Sequence, residues 1–295
     1  MKDALSRRVR FEPPQPEQVT LSLTARDLEI FRLLDRHGKL PSNYLFRLTK
    51  HLGRNETFLK KRLAMLYHGT DDGAYLTRHW TQHNSQQFGV YGLTPKAIRA
   101  LGDKARRHQP TRNDHLRHQL YGATFSASFE AQTGANQFLH GEDIFARRPE
   151  RKHPFALSAG TGAVIPDDII GLRTPDGFSR YFLVEIDRQT ESQTSSHRKN
   201  TIERKFTAYN YVFANGTYAD LAIPNATLLF ATVSERRVQT ALALLERTVE
   251  QRFHRKFLFK AFPDFGENWK IPRTFLPVFG NWCSVEGCVV IHKRL

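Results

Sequence analysis

Apolar positions in this chain follow a helical period first and a strand-like run later. Between residues 21 and 102 they recur at three- and four-residue spacings in short blocks, the mark of small amphipathic helices. Thr24 and Asp27 have capping-box spacing, with Asp standing in for Glu, and Leu28, Ile30, Phe31 and Leu34 supply an apolar face ahead of Gly38. A short second helix is expected from about Ser42, with Leu45, Phe46 and Leu48 inward. Arg54-Asn55 then opens a third, with Phe58, Leu59, Leu63 and Leu66 on its inner side. Residues 75–78 and 90–93 read as a β-hairpin with a long, basic, amide-rich tip. Thr94-Pro95 starts a fourth helix, Thr as cap and Pro in the first turn.

The second half has a different texture. Residues 106–110 loosen in composition and are the best linker candidate, and 114–132 read as a helix. Extended segments follow at 137–139, 163–172 and 181–187, the last almost continuously apolar until its acidic end, as suits a strand covered on both faces. A helix at about 198–213, the strand 227–232 and a helix capped by Ser234 and running to about Arg252 complete an α-β-β-β-α-β order, with further elements after it.

Length and composition support two packed domains. The chain has 295 residues, 40% hydrophobic and 12% aromatic, which excludes a largely disordered protein. The expected organisation is an arm at 1–20, a first domain at 21–108 and a second at 114–295 that includes a C-terminal extension. No stretch approaches the ~20 apolar residues of a membrane helix, and the start of the chain lacks the apolar core of a secretory signal. Two cysteines fit a reducing compartment, so the expected location is the cytoplasm, with no membrane partner.

Charge separates the two halves. The net charge is +15. Residues 1–120 hold 22 Lys+Arg against 11 Asp+Glu, and residues 121–295 hold 22 against 18. A polyanion held by the first half is the economical reading, with a merely basic surface as the bland one.

The order helix–helix–helix–hairpin–helix is that of a winged helix-turn-helix. In that geometry the third helix enters the major groove of double-stranded DNA and its first turn reaches base edges. Arg54 and Asn55 suit guanine and adenine, and Thr57, Lys60 and Lys61 share their face. Arg78 and His79 of the wing would sit near phosphates. DNA binding of this kind requires no cofactor. A solvated helix face, or a protein-interaction module on the same fold, is the alternative.

The acidic residues matter by position. Asp167 follows Pro166, and Glu185 and Asp187 project from one face of the next strand. Carboxylates converging from adjacent strands suit Mg²⁺, which takes carboxylate oxygens and can activate water for phosphodiester hydrolysis. Asp167 and Glu185 are the candidate metal ligands. The order of elements and the Pro-Asp…Glu pattern resemble the PD-(D/E)XK nuclease fold, which makes the overall expectation an α/β (α+β) chain with a winged helix followed by a nuclease-like αβββαβ domain. That pattern has Lys two residues after the Glu, where this chain has Asp187. Lys205 could supply the ammonium from the following helix, with Tyr209 one turn on in the manner of the Gln-x-x-x-Tyr helix of exonuclease-type relatives, and Glu130 stands where some relatives carry another acid. Asp167, Glu185, Asp187 and Lys205 are thus the candidate catalytic set. An active Mg²⁺ endonuclease or nickase, a degenerate nuclease fold, and an unrelated α/β domain in which Asp187 pairs with Arg188, Arg198 or Lys205 remain alternatives.

Ile165-Pro166-Asp167, the run from Phe182 to Ser192 and Lys205-x-x-x-Tyr209, set behind a winged helix, resemble the replication-relaxation family of bacterial plasmids and integrative elements. The resemblance implies a DNA-binding accessory or regulatory protein of replication or conjugative mobilisation. Its candidate partners are duplex DNA, a relaxase or other transfer protein, and a second copy of the chain. Thr190 and Glu191 carry over as motif positions without an assigned role. A ligand-sensing transcriptional regulator is a third reading. Cys283, Cys288 and His292 lack a fourth zinc ligand and read as free thiols and a histidine. His115 and His118 read as solvent or DNA contacts, residues 159–162 as a turn with no phosphate-loop Lys, and the Phe-rich tail as core.

Overall fold

The computed structural model describes residues 21–70, 72–79, 89–102, 116–134, 137–146, 155–160, 162–174, 176–188, 201–265, 272 and 274–291. The expected arm at 1–20, the hairpin tip, the 106–110 linker, His115, His292, and Thr190 with Glu191 lie outside them. The chain is mixed α/β and divides into two units, 1–124 and 125–295. The division falls within a helix, Leu116–Thr133.

In the N-terminal unit, Thr24 caps helix α1 (Ala25–His37) through the reciprocal capping box read from its spacing. Strand β1 (Leu40–Pro41), helix α2 (Ser42–Leu48) and a 3-10 turn (Lys50–Leu52) lead into helix α3 (Glu56–His68). Strands β2 (Leu76–His79) and β3 (Val90–Leu93) form the hairpin, and β1 joins it as the third antiparallel strand, in the order β1-β3-β2. Thr94 caps helix α4 (Pro95–Leu101). Ile30, Phe31, Leu45, Leu63, Leu66 and Leu76 are fully or almost fully buried between these elements. Gly69 ends α3 at φ 78°, and a Cβ there would stand 2.6 Å from the Ala74 backbone, so only glycine lets the chain turn this tightly into β2.

The inward assignment of Phe58 fails. Leu59, Leu63 and Leu66 complete the buried stripe of α3 at i, i+4, i+7, and Phe58 lies one residue off it, 67% exposed.

The second unit begins within α5 (Leu116–Thr133), then β4 (Phe138–His140), α6 (Gly141–Phe145), β5 (Leu157–Ser158) and β6 (Ala163–Val164). Next come β7 (Asp168–Arg173), β8 (Ser179–Ile186), α7 (Ile202–Asn215), β9 (Thr227–Thr232) and α8 (Glu235–Thr248). After a 3-10 turn (Gln251–Lys256), β10 (Phe257–Ala261), β11 (Gly280–Ser284) and β12 (Gly287–Ile291) close the unit. One seven-stranded sheet runs β12-β11-β10-β9-β8-β7-β4. Its β4-β7-β8 portion is an antiparallel meander, and β8, β9 and β10 are parallel, joined through α7 and α8. Alternation on β8 explains the layers. Tyr181 and Leu183 belong to the core shared with Phe206, Val212, Val238 and Leu245 of α7 and α8. Phe182 turns the other way and stacks on Phe129 of α5, which also meets Phe279 edge-on.

The strand expected over 163–172 is broken. Ala163–Val164 pairs with β5 in a separate two-stranded sheet, and β7 starts only at Asp168. Pro166, between them, has no N–H to offer a ladder. The 198–213 helix is found at 202–215 with Thr201 as its cap, and the helix after Ser234 ends at Thr248, short of Arg252. No helix among the described residues is long and apolar enough to cross a membrane.

Candidate functional site

Two clusters correspond to the residues singled out in the sequence, one in each unit. The first is the outer face of α3 and the turn before it. Arg54, Asn55, Thr57, Lys60 and Lys61 are all exposed, as are Arg47, Lys50 and His51 just upstream. Asn55 has a second task, since its side-chain carbonyl accepts from the Phe58 N–H at 3.1 Å and caps the helix. Lys60 reaches back to Glu56 at 2.9 Å, an exposed i, i+4 pair of little energetic weight.

Arg62 belongs to the inner edge. It donates through Nε and Nη2 to the fully buried Asp27, at 3.1 and 2.6 Å, and ties α3 to the start of α1. Burial opposes ionisation of Asp27, but hydrogen bonds from Arg62 and Thr24 outweigh it and hold the carboxyl below its usual range. Arg78 of the hairpin lies over the Tyr91 ring at 5.9 Å, and His79 lies 3.0 Å from the Thr77 hydroxyl.

The second cluster forms where β7 and β8 meet α7 and α8. Asp167 precedes β7 and is held to β8 from both sides of its own residue. Its N–H donates to the Val184 carbonyl at 2.9 Å, and its side chain accepts from the Ile186 N–H at 2.8 Å. Glu185 is 1% exposed and accepts from Lys205 Nζ at 2.7 Å and from the Tyr209 hydroxyl at 2.6 Å, one donor to each oxygen. Burial raises the Glu185 carboxyl above its ordinary range, Lys205 pulls it back, and Asp167 pushes it up again. Asp167, Glu185, Lys205 and Tyr209 are therefore one neighbourhood, as their spacing suggested.

Asp187 is drawn elsewhere. Its partner is Arg237 of α8, with Nε to Oδ2 at 2.6 Å and Nη2 to Oδ1 at 3.2 Å, joined by the Thr232 hydroxyl at 3.0 Å. Arg237 was not among the partners expected for Asp187, since fifty residues of separation leave no local signal for it, and Arg198, one of those expected, lies outside the described residues. Asp168 was also missed. It is 8% exposed, accepts from the Ile169 N–H at 2.8 Å, and burial raises its carboxyl to about 7. Glu130 is buried on α5, the helix packed on the opposite face of the sheet from α7.

Both oxygens of Glu185 and both of Asp187 accept from side-chain donors of the chain, three of the four from a cation. A hard cation would have to displace Lys205 and Arg237 to reach them. Among the described residues no group of three or more His, Cys, Asp or Glu side chains is arranged to hold a metal. Cys283 and Cys288 face each other across β11 and β12 as free thiols.

Residues 31–224, which run from within α1 to just before β9, match the replication-relaxation family. The chain belongs to that family. No curated protein and no solved structure matches it. The replication-relaxation match includes α3, Asp167, Glu185, Lys205 and Tyr209, and ends before Arg237.

Proposed function

We propose that this is a DNA-binding accessory or regulatory protein of a bacterial mobile element, acting in its replication or mobilisation. Duplex DNA is held by the N-terminal unit as a winged helix-turn-helix, with α3 as the recognition helix and β2-β3 as the wing. The observation that carries this reading is the exposed run Arg47, Lys50, Arg54, Lys60 and Lys61, opposed over that stretch by Glu56 alone. It runs from α2 through the turn into α3, the element that this reading sets in the major groove. Replication and mobilisation both act on DNA, so membership of the replication-relaxation family points the same way.

The second unit is read as a PD-(D/E)XK-like core, since α5, β4, β7, β8, α7 and β9 run in the αβββαβ order with α6 and the β5-β6 pair inserted. In this reading Glu185 and Asp187 have become members of internal ion pairs. The protein then binds DNA without cutting it. Incubation with supercoiled plasmid of its own element, in Mg²⁺ or in EDTA, tests this: a retarded, intact plasmid in both is expected. Mg²⁺-dependent nicking lost in Asp167→Ala and Glu185→Ala would make the protein an endonuclease.

A further inference from the structure

Three large apolar side chains stand exposed among the described residues of the N-terminal unit: Leu52, Phe58 and Met65, at 42%, 67% and 41%. All three lie on α3 or the turn before it. Phe58 and Met65 are seven residues apart with Lys61 between them, on one stripe of the helix. Phe58 is the third residue of α3, in the first turn after the Asn55 cap.

A protein partner is a poor match for this stripe, because lysine is depleted from the centre of protein interfaces. The major groove matches both of its components. Phosphates line the groove and suit Lys60 and Lys61, while the C5-methyl of thymine is the one apolar group on the groove floor. The first turn of a recognition helix is the part that reaches base edges. We propose that Phe58 packs on a thymine methyl in the major groove and so sets a preference for thymine at one position of the target. This rests on the DNA-binding reading above and adds to it a specificity-determining residue and the base it reads.

Deoxyuridine differs from thymine by that methyl alone and keeps the same hydrogen-bonding groups. Duplexes selected from a random-sequence library by the full chain are resynthesised with each thymine in turn replaced by deoxyuridine, and binding is measured by fluorescence anisotropy. One or two replacements should weaken the wild type about fourfold each, the worth of one buried methyl. Phe58→Ala should bind the thymine and deoxyuridine duplexes equally, with its salt dependence unchanged, and Phe58→Leu should keep part of the preference. Indifference of the wild type to every replacement, or an undiminished penalty in Phe58→Ala, overturns the proposal while leaving DNA binding intact. If no duplex is retained at any salt concentration, the DNA-binding reading falls and this one with it. Loss of a dimer in Phe58→Ala by sedimentation, with DNA binding unaltered, assigns the stripe to a second copy and also overturns it.

Discussion

Arg237 holds both carboxylate oxygens of Asp187, at 2.6 and 3.2 Å, and in doing so fastens the start of α8 to the end of β8. Asp187 is 3% exposed, so the pair lies largely out of water. Removing one member of a buried pair leaves the other charged and desolvated. Arg237→Ala should therefore destabilise the second unit by about 3–5 kcal/mol in urea unfolding. Replacing both residues with apolar ones should cost less than the sum of the single changes. Equal losses in the double and the summed singles would mean that the pair is not coupled.

Asp168 should make stability fall as pH rises. Its carboxyl is raised from 3.8 to about 7 in the folded chain, chiefly by burial. Between those values the folded state holds a proton that the unfolded state has released, so stability declines from about pH 4 to 7 and stays reduced above it. Asp168→Asn removes the titration and keeps the shape. Wild type measured against this variant should lose up to about 4 kcal/mol across that window. A flat difference would show that Asp168 is ionised in the fold.

Asp27 should act with the opposite sign. Its carboxyl is held below the usual range, the hydrogen bonds from Arg62 and Thr24 overcoming burial. Its contribution is thus present above the unfolded value near 4 and lost as pH falls through the lower, folded one. Asp27→Ala removes the capping box and strands Arg62 together, so a loss of about 3 kcal/mol at neutral pH is expected from thermal or urea unfolding. The gap between wild type and variant should narrow in acid; a gap that widens there would contradict this account.

Local chemistry made most elements legible in the sequence. Thr24 with Asp27, Asn55, Thr94-Pro95 and Ser234 each satisfy orphan N–H groups at a helix start, and each helix begins there. The run Tyr181–Ile186 is apolar because both faces of β8 are covered, and Lys205 and Tyr209 meet Glu185 because one helical turn separates them. What escaped depends on distant neighbours. The Pro166 break looked like one strand because apolar residues continue on both sides, and Arg237 reaches Asp187 only through the packing of α8 on the sheet. Phe58 reads as core in any count that ignores its one-residue offset from the Leu59 stripe.

The central claim is that α3 holds the phosphates of duplex DNA. Affinity of the full chain for a duplex of its element, measured by fluorescence anisotropy from about 50 to 200 mM salt, tests it most directly. For the wild type, log affinity should fall linearly with log salt concentration. Lys60→Ala with Lys61→Ala should bind more weakly, with a slope shallower by about one for each lysine that touches a phosphate. Unchanged affinity and slope in the double variant would contradict the claim and leave α3 as a surface for something other than DNA.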